Sequence, residues 1–165
     1  MAPSSVSECV LGVDLGGTKI ALGLVTREGR VLAETTVPTR AEDGPGAAVE
    51  RLVAAARDLA GAGSPPWLAA GVGAPGPLDL PEGRFTRSPN LPGWDGFPLR
   101  QELATRLGVP VWIDNDANVA ALAEARAGAG QGARVMLYVT VGTGIGGGLV
   151  VDGRLFSGAN GNGLE

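Results

Sequence analysis

Three stretches of this chain hold the residue types that phosphate and hydroxyl chemistry needs. The first is Asp14-Leu-Gly-Gly-Thr-Lys19, an acid and a base on either side of a short turn, set between apolar runs at 10–13 and 20–25. Two strands joined by such a turn leave a row of backbone N–H groups facing a concavity, which suits phosphate oxygens. Asp14 would end the first strand, where a carboxylate can hold a metal ion or its water shell. Lys19 is the only lysine in the chain. A hairpin turn that needs glycine only for its dihedrals accounts for the same residues, and both readings stand on this stretch alone.

The second stretch is Gly142-Thr-Gly-Ile-Gly-Gly147. It has the spacing of the dinucleotide fingerprint, but that fingerprint requires a helix to begin there and present its N-terminus to a pyrophosphate. The next residues are Gly148-Leu-Val-Val-Asp-Gly, a strand and a hairpin turn, so the Rossmann reading is rejected. The P-loop pattern, Gly-Lys-Ser/Thr opening a helix, is also absent. A glycine-rich hairpin without a ligand is one reading. So many glycines weaken a strand, however, and close backbone approach by a ligand would explain them.

The third is Asp114-Asn-Asp116, at the junction of a strand's C-terminal end and a helix's N-terminus, the usual ligand edge of an α/β sheet. A carboxylate there can take a proton from a hydroxyl held within hydrogen-bond reach. A helix cap plus a solvated acid is the commoner use of Asp at such a position. Asp114 is assigned to structure. Asp116 is the better base, because Asn115 beside it offers a donor and an acceptor for a sugar hydroxyl.

The elements that must position these groups can be read from apolar periodicity. Residues 10–14, 20–26 and 30–37 read as strands, with Arg27-Glu-Gly29 as a turn. Residues 43–60 carry Val49, Leu52, Val53, Ala56 and Leu59 on one helical face, stopped by Gly61-Ala-Gly63. A buried strand at 67–73 leads into a long Pro/Gly segment, 74–98. Phe85, Leu91, Trp94 and Phe97 can anchor it as an ordered binding loop. A short helix at 99–107 precedes a strand at 109–113. An alanine-rich helix at 116–128, capped by Asn115 or Asp116, precedes a linker at 128–132. Further strands are read at 134–141, 145–151 and 154–157. Strand, Gly/Thr turn, strand, X-Gly-Arg turn, strand thus occurs from Val10 to Leu32 and again, with a small length adjustment, from Met136 to Phe156. The repeat points to two related domains, each opening with a phosphate-facing hairpin: a tail at 1–9, a first domain at 10–132, and the start of a second at 133–165.

Composition narrows the chemistry. The 165 residues are 44% hydrophobic and 18% charged, which predicts a packed core. A net charge of −4 without a basic run argues against a nucleic-acid partner. Cys9 is the only cysteine and fits a reducing compartment. No signal peptide and no membrane span are read, and the expected location is the cytoplasm. There is no histidine, which removes Ser-His-Asp and Cys-His systems and most zinc sites and leaves carboxylates as the available general bases.

Five motifs together resemble one family. Leu11-Gly-Val-Asp-Leu-Gly-Gly-Thr-Lys19, Gly71-Val-Gly-Ala-Pro-Gly-Pro77, Pro89-Asn-Leu-Pro-Gly-Trp94, Asn115-Asp-Ala-Asn118 and Gly142-Thr-Gly-Ile-Gly-Gly-Gly148 stand in the order of the ROK (repressor, ORF, kinase) sugar kinases. The wording is most similar to the family's bacterial glucokinases, and the resemblance runs from about Val10 to Gly161. It implies an α/β fold of the actin-like ATPase (ribonuclease H-like) kind with a mixed sheet, here continuing into the opening strands of an incomplete second domain. It implies phosphorylation of a hexose, glucose first, by ATP with Mg2+. On it, Asp14, Gly16, Gly17, Thr18 and Lys19 form the first phosphate motif and Gly142, Thr143 and Gly144 the second, with Asp14 a candidate Mg2+ ligand. Asp116 matches the catalytic aspartate, and Gly76, Asn90, Asn115 and Asp116 the sugar-binding positions. Removing the base is expected to cost on the order of 10²–10⁴ in rate.

The end of the chain departs from the pattern. The family continues as Gly-Glu-Ile-Gly-His and a cysteine-rich zinc loop, whereas this chain reads Gly158-Ala-Asn-Gly-Asn-Gly-Leu-Glu165. Glu165 falls by spacing on the family's sugar-binding glutamate, with Leu164 in place of a glycine. The histidine that contacts sugar and zinc, the zinc cysteines and the adenosine-binding part are missing, so no zinc site is expected. A truncated frame, a fragment or one piece of a split protein would look like this. A non-catalytic sugar-binding or interaction module is the alternative, and a repressor is set aside because only about nine residues precede the first strand. Three opening strands cannot bury both faces of a sheet. The chain is therefore expected either to be less stable than a full kinase or to associate, as a homodimer or with a complementing C-terminal fragment.

Overall fold

The computed structural model describes residues 8–61, 67–88, 91–142 and 144–158. In chain order the elements are β1 (Cys9–Leu15), β2 (Lys19–Thr26), β3 (Val31–Pro38), α1 (Pro45–Ala60) and β4 (Ala70–Ala74). The two-residue strands β5 (Leu78–Asp79) and β6 (Arg84–Phe85) come next, then α2 (Leu99–Leu107), β7 (Val111–Asn115) and α3 (Asp116–Ala127). A hairpin of β8 (Val135–Val141) and β9 (Ile145–Val151) comes last, extended by β10 (Arg154–Leu155). Each helix and long strand expected from the periodicity is present.

The first sheet has the order β3-β2-β1-β4-β7; β1, β2 and β3 pair antiparallel, and β1, β4 and β7 run parallel. Strand alternation explains its core face: Cys9, Leu11, Val13 and Leu15 of β1 and Ile20, Leu22 and Leu24 of β2 are buried. Helix α1 lays Val49, Leu52, Val53 and Ala56 against this sheet, the face its spacing predicts. Pro45 opens the helix and Gly61, at φ 63°, ends it. Helix α2 adds Leu99 and Leu103 to the same core.

The described residues of the Pro/Gly segment gather around an aromatic cluster. Phe85 and Trp94 meet edge-on with centroids 5.3 Å apart, and Trp94 meets Phe97 at 5.5 Å. Leu91 is buried with them. Asp95 closes the loop by accepting from the N–H and the hydroxyl of Ser88, both at 2.7 Å, and these bonds hold its carboxyl below the ordinary value.

The second sheet, order β10-β9-β8, lies across α3 from the first, so α3 is packed on both sides. Small residues allow this. A Cβ on Gly148 would stand 2.5 Å from Ala121 Cβ and 2.9 Å from the Ala117 carbonyl. Glycine at 148 therefore reflects helix packing, and not the ligand approach that the glycine run invites. Residues 128–132, expected as a linker, instead form hydrogen-bonded turns at the end of α3. The N–H groups of Gly128 and Gly130 both donate to the Glu124 carbonyl, and that of Ala129 donates to its carboxylate. One face of β8 is open: Val135, Leu137, Val139 and Val141 are 56–77% exposed. No helix among the described residues is long and apolar enough to cross a membrane.

Candidate active site

Because β1, β4 and β7 are parallel, their C-terminal ends deliver three segments to one edge: the turn after Leu15, Pro75-Gly76, and the start of α3. The β8–β9 turn reaches the same place from the second sheet. Gly16, Gly17, Thr18, Gly76, Asp116, Gly142 and Gly144 together line a cleft of about 530 Å³. Beside it lies a chamber of about 380 Å³ walled by Val13, Asp14, Gly73, Asp116, Val119 and Tyr138.

The first turn is held from behind. Its Gly16 N–H donates to the Lys19 carbonyl at 2.9 Å. Thr39, fully buried, donates its hydroxyl to the Gly16 carbonyl at 2.6 Å and its N–H to the Thr18 carbonyl at 2.9 Å. The Arg51 guanidinium in turn donates to the carbonyls of Thr39 and Arg40 and pairs with Asp43 at 2.9 Å. Helix α1 is thus tied to the turn through Thr39. The second turn closes with Gly142 N–H donating to the Gly144 carbonyl at 2.8 Å. Gly16, Gly142 and Gly144 do not adopt the left-handed φ that favours glycine, so dihedral need does not explain them. A Cβ on Gly142 or Gly144 would meet nothing within 4 Å, which leaves open space in front of the turn.

Asn115, of the two caps the sequence left open, is the one used. Its side-chain oxygen accepts from the N–H groups of Ala117 at 2.9 Å and Asn118 at 3.2 Å. Asp116 then occupies the first position of α3 with its carboxylate on both cavities. Removal from water raises its pKa above the ordinary aspartate value, the Ala117 N–H at 2.7 Å opposes this, and the negative charge of Asp14 raises it further. Asp114 is structural as expected: its carboxylate accepts from Asn115 N–H at 2.7 Å and from the Asn118 amide at 2.9 Å.

Not every candidate reaches the cleft. Asp14 faces the adjoining chamber and not the space between the turns, Lys19 is exposed and lines neither cavity, and Asn115 is 2% exposed and lines neither. Asn90, Thr143 and Glu165 lie outside the described residues. Pro75, Ile145 and Gly146, which lie in the motifs but were given no role of their own, also line the cleft, as does Thr140, and Thr39 supports it. Thr140 had a signal in the internal repeat, two residues before the first glycine of its turn, as Asp14 is. Thr39 had none.

Comparison with known proteins identifies the family and the fold. The ROK family model matches residues 10–165. A glucokinase of Thermotoga maritima is 40% identical over 156 residues, covering 94% of this chain and 49% of that protein. The crystal structure of a ROK hexokinase from Thermus thermophilus matches with a TM-score of 0.84 at 47% identity, over 94% of this chain and 51% of its own. A ROK family glucokinase from Streptomyces griseus, crystallised with glucose and AMPPNP, matches with a TM-score of 0.86 at 38% identity, over 95% and 49%. The α/β fold is therefore of the actin-like ATPase kind that the motifs implied. The chain spans about half the length of the curated relatives it matches.

Proposed function

Because the chain belongs to the ROK family, we propose that it carries the sugar- and phosphate-facing half of a sugar-kinase site, in which a hexose is phosphorylated by ATP with Asp116 as general base. The observation that carries this reading is the meeting of Asp116 with both glycine turns in one cleft. The glucokinase relatives and the glucose and AMPPNP of the Streptomyces griseus structure favour glucose and ATP.

In this reading the 6-hydroxyl oxygen of the sugar attacks the γ-phosphorus, its proton passes to the Asp116 carboxylate, and the bond to ADP breaks. The raised pKa of Asp116 makes it a stronger proton acceptor than an ordinary aspartate at neutral pH. Backbone N–H groups of the two turns meet the charge that spreads over the phosphoryl oxygens. Gly76 lines the cleft, and Gly76, Asn90 and Glu165 are proposed sugar contacts on family resemblance, while Asn115 serves as the helix cap.

Mg2+ fits the residues present. The Asp14 and Asp116 carboxylates share a chamber, and their repulsion is what a hard, oxygen-seeking cation relieves. No group of three or more acidic, His or Cys side chains that could cage a metal exists among the described residues. That suits an ion held by one carboxylate, water and substrate phosphates, with Asp14 as the protein ligand. Such an ion would neutralise phosphate charge.

A second reading, a sugar-binding or interaction module without turnover, is favoured by the open face of β8. That face also supports association with a second copy or with a polypeptide that completes the second domain, 133–165 being its beginning. A cytoplasmic setting goes with the use of ATP. Coupled ADP-release and glucose-titration measurements on the chain separate the two readings: turnover supports the kinase, and glucose binding without turnover supports the module.

A further inference from the structure

We propose that Thr140 is a phosphoryl-contacting residue of this cleft, the second hairpin's counterpart of Asp14; the inference rests on the phosphotransfer reading above. Asp116 and Thr140 are the two residues common to the cleft and the adjoining chamber. Both therefore stand on the wall that the two spaces share.

The internal repeat puts Thr140 there for a structural reason. Asp14 is two residues before Gly16, whose N–H closes the first turn at 2.9 Å; Thr140 is two residues before Gly142, whose N–H closes the second at 2.8 Å. In β8 the odd residues Val135, Leu137 and Val139 face outward. Met136 and Tyr138 between them are half-buried, and Thr140, exposed at the end of the same alternation, lines both cavities just before the turn. Its ladder partner is Gly146, where a Cβ would stand at an ordinary contact distance of 3.5 Å from the Thr140 methyl. With glycine there, no side chain from 146 covers the threonine. Among the described residues the exposed Thr140 hydroxyl has no hydrogen-bond partner, although a threonine hydroxyl can donate one and accept two.

An acid on one hairpin and a neutral hydroxyl on the other divide the work. Asp14 suits a cation. Thr140 suits a phosphoryl oxygen, because it donates without adding a third negative charge next to Asp14 and Asp116. During transfer the hydroxyl keeps its proton and donates a hydrogen bond to a γ-phosphoryl oxygen, while the proton released by the sugar goes to Asp116.

Isothermal titration tests this with Mg-AMPPNP and Mg-ADP on the wild-type chain, Thr140→Val and Thr140→Ser, with a thermal melt of each. Loss of one charge-assisted bond to the γ-phosphoryl should weaken Mg-AMPPNP binding by about tenfold in Thr140→Val and leave Mg-ADP within about twofold. Thr140→Ser should restore the affinity, and all three melts should coincide. Equal affinity of wild type and Thr140→Val for Mg-AMPPNP overturns the inference alone. So does an equal weakening of both nucleotides with a lowered melt, which is the mark of a structural role. A wild-type chain that binds neither nucleotide overturns the phosphotransfer reading and this inference with it.

Discussion

Asp14 and Asp116 face one chamber from different elements, and the charge of Asp14 adds to desolvation in raising the Asp116 carboxyl. A base is competent only when unprotonated, so activity should fall as pH drops through a value above the ordinary ~3.9 of aspartate. Asp14→Asn removes one of the two raising causes, and the midpoint of the acid limb should move to lower pH whatever happens to the plateau. The linkage to stability has a definite sign. The folded chain binds this proton more tightly than the unfolded chain does, so the contribution of Asp116 to stability falls as pH rises from its unfolded to its folded pKa. Asp116→Asn should therefore be as stable as wild type or more so at pH 7, with a smaller gain at pH 4. An unmoved rate midpoint, or a loss of stability at pH 7, would sink this description of the pair.

Two glycines of one motif should behave in opposite ways. Alanine at 148 would drive a Cβ into Ala121 and the Ala117 carbonyl, at a cost of about 1–3 kcal/mol as α3 and β9 separate. Alanine at 142 meets open space and should change stability by less than about 0.5 kcal/mol, yet lower nucleotide affinity by intruding where a phosphate approaches. Urea melts and nucleotide titrations of both variants check the contrast.

Thr39 offers a test of the scaffold behind the first turn. Thr39→Val keeps the shape but leaves the Gly16 carbonyl without its 2.6 Å partner, a loss of about 1–3 kcal/mol if that carbonyl stays dry. Nucleotide affinity should fall with it, because the turn is no longer pinned to α1. A variant with wild-type stability and affinity would show that the turn holds its shape without this support.

Much of this was legible in the sequence, and the reasons differ by element. The strands and helices are dictated by apolar spacing, and the Leu52 face of α1 and the aromatic anchors Phe85, Trp94 and Phe97 pack as their patterns require. Asp116 could be singled out because a strand-to-helix junction leaves few places for an acid to go. Gly148 misled because a glycine needed for helix packing is indistinguishable, in one dimension, from a glycine needed for a ligand. Thr39 was invisible for a related reason: its two bonds reach turn residues about twenty positions upstream, and no local pattern encodes such a contact. Asn115 kept both of its readings open until the cap geometry showed where its oxygen goes.

The uncovered face of β8 predicts association. Val135, Leu137, Val139 and Val141 form an apolar row on an edge strand that carries no charge and no proline. Sedimentation velocity at micromolar concentration should show species larger than the monomer, and Leu137→Lys should restore the monomer without lowering the melting temperature. A stable wild-type monomer would contradict this.

The role of Asp116 as the base is tested most directly by glucose-dependent ADP release with Mg-ATP, comparing wild type with Asp116→Asn. Turnover should fall by about 10²–10⁴ in the variant, the usual scale for loss of a general base, while glucose affinity is retained. Turnover that survives the substitution would contradict that role.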